Sequence, residues 1–291
     1  MSKSKPLVAK NHKILNHPYL ALILLPLWCS FVASILGGIF DSIAMSYASA
    51  YAGGLGTALA TLVCLAIHKK WFRGEFDGNL KTRNFKEGLL LISPTVVFLI
   101  MNLSAVSFSE ITGKDVFNAF CLGTAPGVLE EVAFRGLSGS NFMRLWKEEK
   151  KIPLVATLTA VLFGAFHLLN ISAGAGVASS VTQAVYAYGA GVIFAAVYLR
   201  TGSLLASILS HALVDTTAYM TPGMIANAGV MTDSGFEWGM VIVAVIGLGY
   251  GALGYYYLRP SKRAGILQLW SEKWTVLPTA EELAAQQQAQ A

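Results

Sequence analysis

Long apolar runs alternate with short polar interruptions along the chain, and the runs are long enough to span a bilayer. A membrane helix needs about 20 mostly apolar residues to cross roughly 30 Å of hydrocarbon. By that measure the pattern predicts helices over 18–40, 43–67, 88–108, 116–145, 153–170, 181–199, 203–220 and 238–258. The spans 153–170 and 203–220 stand at the short end of the range, and 116–145 is long enough to tilt or protrude. The expected fold class is all-α, a polytopic membrane helix bundle with about eight transmembrane helices. One membrane-embedded domain is expected over 1–258. A tail follows over 259–291, weakly ordered and cytoplasmic: its stretch Gly265–Leu277 is placed on the membrane surface, and its final Gln/Ala run after Glu282 is read as disordered.

Composition supports lipid as the surroundings. Hydrophobic residues make up 55% of the chain and charged residues only 13%, against about 25% charge in a soluble domain. Such a chain cannot cover itself with solvated side chains. The net charge of +5 does not point to nucleic acid, because the basic residues stand in short blocks between apolar runs and no basic face is interleaved with aromatics. With both termini inside, the cytoplasmic segments hold 19 of the 21 Lys and Arg residues, leaving Lys114 outside and Arg135 within a helix. That asymmetry is the positive-inside pattern for an even number of crossings.

Lys3, Lys5, Lys10 and Lys13 before the run from Tyr19 resemble a signal peptide's charged region. The run is too long for a signal core, and it is read as a retained first helix. Cys29, Cys64 and Cys121 lie in separate apolar segments and make no disulfide framework. Gly123-xxx-Gly127 and Gly247-xxx-Gly251 let helix backbones approach closely, and packing within the bundle is the reading taken for them. Trp28, Trp71, Trp238 and Trp270 are read as interfacial anchors. His12, His17 and His68 fall in basic flanks and are read as solvated. Nothing in the pattern sets an oligomeric state.

Inside the predicted helices, away from their ends, stand six ionisable residues: Glu130, Glu131, Arg135, His167, His211 and Asp215. Asp41 and the other acids are assigned to loops, helix boundaries or the tail. A charged group in a bilayer costs about 2.5–3.5 kcal/mol on insertion scales. Six of them on three helices offset one another only if those helices bring them together. Glu131 and Arg135, four apart, share a helix face and can pair, whereas Glu130 is turned about 100° from Glu131. His211 and Asp215 are again four apart. Phe163 stands one turn before His167, and Pro126 should perturb its helix by removing a backbone bond.

In order, Glu130-Glu131-Val-Ala-Phe-Arg135, Phe163-Gly-Ala-Phe-His167 and His211-Ala-Leu-Val-Asp215 match EExxxR, FxxxH and HxxxN/D. On separate membrane helices they resemble the CPBP family of intramembrane endopeptidases, which includes CaaX-processing proteases and bacteriocin-processing or self-immunity (Abi) proteins. The resemblance covers roughly 116–220. It implies hydrolysis of a peptide bond in a membrane-associated protein or peptide. Glu130 would then be the general base, His167 would orient the water, and His211 with Asp215 would support the tetrahedral intermediate. Glu131 and Arg135 would hold the helix in place. A carboxylate is a poor oxyanion donor, so Asp215, where some relatives carry Asn, has to be protonated or to orient His211. Zinc as a cofactor stays open: Glu130, His167, His211 and Asp215 are all acceptable ligands, and a metal-free, Glu-activated water is the other scheme.

Two other classes compete. A transporter also places acids and histidines at the bilayer midplane, but no inverted repeat relates the two halves, and the polar groups fall only in the second. The same bundle without catalysis would be a membrane scaffold or immunity protein regulating a partner. The intact motifs favour the enzyme.

Overall fold

The computed structural model describes residues 17–46, 54–71, 84–221, 224 and 237–273. His12, the basic loop at 72–83 and the run after Glu282 lie outside them. The described residues are mostly helical, with no strand among them. The helices are α1 (Pro18–Ser46), α2 (Leu55–Trp71), α3 (Phe85–Ile92), α4 (Val96–Ala105), α5 (Gly113–Glu130), α6 (Ser140–Leu145), α7 (Ile152–Phe166), α8 (Val177–Thr201), α9 (Leu205–Tyr219), α10 (Trp238–Tyr257) and α11 (Pro260–Lys273). Several join end to end. A 3₁₀ turn at Ser93–Thr95 links α3 to α4, a π-helical stretch Glu131–Gly139 links α5 to α6, and a 3₁₀ stretch His167–Ala173 extends α7.

Among the described residues five rods are long and apolar enough to cross a bilayer: Pro18–Ile43, Phe85–Ala105, Glu149–Ala173, Val177–Thr201 and Trp238–Tyr257. The chain is a multi-pass membrane protein. Leu55–Ile67 is apolar but shorter. The motif-bearing rod 113–145 and α9 are not among the five. At 1.5 Å per residue the 15 residues of α9 span about 22 Å, less than the hydrocarbon core. Eight crossings with both ends inside is therefore a matter for a topology measurement. Reporters fused after Asp115, Ala175 and Val230 are expected to read outside, and those after Leu80, Glu148 and Thr275 inside. A swapped reading at any internal site would break the alternation.

Two boundaries differ from the sequence expectation. Helix α1 runs on to Ser46 rather than stopping at 40, and α2 starts at Leu55 rather than 43. Asp41 is thus inside a helix, not at a boundary. Its carboxylate lies at the first turn of α2, where Thr57 Oγ1 donates to Oδ2 at 3.4 Å and a side chain on Gly56 would collide with it. The N-terminal end of a helix carries positive partial charge, so the acid that reads as a helix end in sequence serves as the anion for the next helix. Helix α11 packs on the bundle: its Ile266 and Trp270 are buried, and Trp270 Nε1 donates to the Leu199 carbonyl at 3.0 Å. Helix α8 ends beside it at Gly202, whose φ of +67° favours a residue without Cβ. Trp238, by contrast, stands exposed at the start of α10.

Small residues set the helix spacings. A Cβ on Gly127 would stand 2.7 Å from the Ala212 backbone nitrogen, and one on Gly123 would overlap the Thr216 backbone. Gly247 faces Tyr186 and Gly251 faces Gly189. Both small-residue motifs therefore pack within the bundle, as expected. Cys29, Cys64 and Cys121 are buried and form no disulfide among the described residues.

Candidate active site

The rod carrying EExxxR opens at a capping box. Thr112 Oγ1 accepts from the Asp115 backbone N–H at 3.3 Å, and Asp115 Oδ2 accepts from the Thr112 N–H at 3.0 Å. Helix α5 then runs to Glu130, and the backbone widens into π geometry from Glu131. Pro126 is not at the junction. Its missing N–H would have bonded four residues back, while the widening starts five residues further on. Every residue from Glu131 to Met143 is buried, so this stretch is the central column of the bundle. π-helical insertions cluster at functional sites.

The two acids of the motif meet different surroundings. Glu131 is fully buried, whereas the Glu130 side chain is 30% exposed. Glu131 Oε1 accepts from Arg135 Nη1 at 2.9 Å. The buried guanidinium lies over the ring of Phe163 at 4.5 Å, with Phe194 at 5.6 Å and Phe134 at 5.9 Å. Aromatic faces are electron-rich, so three rings around a cation recover part of what it loses on leaving water.

The same Glu131 oxygen also meets His211 Nδ1, at 3.1 Å and from across the helix interface. An ionised carboxylate can only accept, so Nδ1 carries a proton. That fixes the ring: Nε2 faces Asp215 Oδ2 at 3.4 Å and Glu130 Oε2 at 3.6 Å. Phe194 stacks on the imidazole, with centroids 5.2 Å apart and planes at 29°. Glu131, assigned from its spacing to Arg135 alone, thus also orients His211, a contact between positions 80 apart in sequence.

His167 is the first residue of the 3₁₀ stretch after α7. Its ring is half-buried and meets Phe163 edge to face at 5.1 Å, and His211 meets the same Phe163 at 5.7 Å. The structure therefore brings Glu130, Glu131, Arg135, His211 and Asp215 into one polar cluster. It joins His167 to that cluster through Phe163, without a hydrogen bond or ion pair among the described residues.

Zinc needs donors converging on one point at about 2.0–2.3 Å. Among the described residues no three His, Cys, Asp or Glu side chains form a group of that kind. Glu130, His167, His211 and Asp215 do not fit together as a ligand set here.

Neutral polar residues next to the cluster were not singled out by sequence. Thr95 and Asn102 hydrogen-bond to α9. Asn102 sits in the apolar run Val-Val-Phe-Leu-Ile-Met-Asn-Leu, where a lone amide has to find a partner; that was the available signal.

Residues 112–217 match a family model described as Rce1-like, type II CAAX prenyl endopeptidase Rce1-like. No curated protein and no solved structure matches the chain.

Proposed function

We propose, from the match of residues 112–217 to the Rce1-like family model of CAAX-type endopeptidases, that the chain is an intramembrane endopeptidase that cleaves a membrane-associated peptide with water activated by Glu130. The observation that supports this most is the pairing of a partly exposed carboxylate, Glu130, with a fully oriented imidazole, His211, from a different helix. In this reading Glu130 takes a proton from water as the hydroxide adds to the scissile carbonyl. The developing oxyanion receives the Nε2–H of His211, which Asp215 holds in place until then. His167, which meets the same Phe163 ring as His211, holds the attacking water. Glu130 then returns its proton to the leaving amine. A positioned general base contributes about 10²–10⁴-fold, and one oxyanion donor about 10²–10³-fold.

No step of this scheme passes through a metal. Turnover is expected to survive exhaustive treatment with a chelator; activity lost to the chelator and restored by zinc would overturn it. The substrate class is a membrane-associated protein or peptide. Prenylated CaaX segments, bacteriocin or pheromone leaders and other membrane proteins are its members. The test compares membrane proteomes of cells carrying the wild type or Glu130→Ala. A peptide processed only by the wild type is expected. Identical proteomes, with both proteins folded and present, would favour the scaffold reading.

Asp215 gives a second test. Its carboxylate oxygen lies 3.4 Å from Nε2 of His211 as an ion-pair contact, and an amide oxygen can take the same place. Asp215→Asn is expected to keep turnover within about tenfold of wild type, and Asp215→Ala to lose more, because one orienting contact is worth roughly 1 kcal/mol or more. A dead Asn variant beside an active Ala variant would remove Asp215 from this role.

A further inference from the structure

Helix α9 presents four different faces to its surroundings, each turned about 100° from the next residue's. Leu209 and Leu213 are exposed, toward lipid. Ala212 and Thr216 lie on the glycines of α5. His211 and Asp215 face the polar cluster. The remaining face, Ser210, Val214 and Thr217, is hydrogen-bonded to the rod Phe85–Ala105, which lies outside the segment matched by the family model.

Those bonds are specific in direction. Thr95 Oγ1 gives its proton to the Ile92 carbonyl at 2.7 Å. Its contact with Ser210 Oγ, at 2.6 Å, therefore has Ser210 as donor. Asn102 Nδ2 donates to the Val214 carbonyl at 2.9 Å and to Thr217 Oγ1 at 3.1 Å. Thr217 spends its own proton on the Leu213 and Val214 carbonyls. Each bond engages α9 close to a residue of the polar cluster: Ser210 precedes His211, and Val214 precedes Asp215. The glycine contacts set how near α9 lies to α5. The polar stitches add a directional hold on the rotation of α9, from a different face than Glu131's bond to His211 Nδ1.

Resting on the protease reading, we propose that Asn102, with Thr95, is a positioning residue: it fixes the rotation of α9 and so aims His211 and Asp215 at Glu130. A misplacement on the order of 1 Å can cost about 10²-fold in rate. Apolar replacement at 102 keeps the helix suited to lipid while removing both donors.

The experiment uses full-length protein in detergent or proteoliposomes with three variants. Asn102→Leu and Thr95→Val are each expected to lower kcat by about tenfold or more, with KM changed less than about twofold. Ser104→Ala, on the same rod, removes a hydroxyl that bonds only the Met101 carbonyl, and is expected to behave as wild type. A second readout needs no turnover. With ¹⁵N-histidine labelling, the His211 signals, assigned by their loss in His211→Gln, report a protonated Nδ1 in the wild type. They are expected to shift or broaden in Asn102→Leu. Lost turnover with unchanged His211 signals would overturn the proposal, as would equal losses in Ser104→Ala. If Asn102→Leu and Thr95→Val both fail to fold, the residues are structural and the proposal falls. If the wild type hydrolyses nothing, the protease reading fails, while the imidazole signals still decide whether Asn102 aims His211.

Discussion

Glu130→Gln is expected to lower turnover by about 10²–10⁴-fold, the span a positioned general base contributes. The protein should stay folded. The side chain is 30% exposed, and its ion-pair contact among the described residues is with His211 Nε2 at 3.6 Å. The amide of Gln has the same shape and can still touch His211, but it cannot take a proton from water. The measurement is turnover of a membrane-associated peptide by reconstituted protein, beside the unfolding midpoint of the same sample. A near-normal midpoint with activity abolished separates chemistry from packing. Activity retained in Glu130→Gln would remove Glu130 from the base role, whatever the family match.

The rods themselves were legible because lipid imposes a simple demand, about 20 apolar residues per crossing. The ionisable cluster was legible for the complementary reason: a charge in such a run has to be answered. What failed did so where the answer lay in another helix. Asp41 read as a helix end, and the positive terminus that accommodates it belongs to α2. The tie from Glu131 to His211 crosses between rods, while the i,i+4 rule offered only Arg135. Likewise, the π-helical turn at Glu131 left no mark, because no residue type demands it and Pro126 lies too far upstream.

Neutral polar residues were hidden for a different reason. Ser and Thr in membrane helices commonly bond their own backbone, as Thr61 does to Thr57 O and Ser104 to Met101 O, so a hydroxyl in an apolar run carries little information. Thr95 makes such a local bond and the contact to Ser210 as well. Only Asn102, which has no comfortable local partner, carried a signal that reading for charge alone passed over. The packing partner of the tail helix was not legible, because amphipathic pattern does not say what covers the apolar face. Trp270 is covered by the end of α8, not by lipid.

Arg135→Met should be the most destabilising single change near the site, by about 3–5 kcal/mol, as when one partner of a buried pair is removed. Arg135 and Glu131 are both fully buried and meet at 2.9 Å. Without the guanidinium, Glu131 keeps the hydrogen bond from His211 Nδ1 but has no cation in its own column to balance its charge. Met fits between Phe134, Phe163 and Phe194 with sulfur against the rings, so the loss is one of charge balance rather than of volume. Adding Glu131→Gln to Arg135→Met is then expected to restore a large part of the stability. The buried charge is gone, and the Gln oxygen still accepts from Nδ1 of His211. Unfolding midpoints of the wild type, Arg135→Met and the double variant in one detergent check this. A double variant no more stable than Arg135→Met would mean that the guanidinium supports the column through its three aromatic neighbours and not by neutralising Glu131.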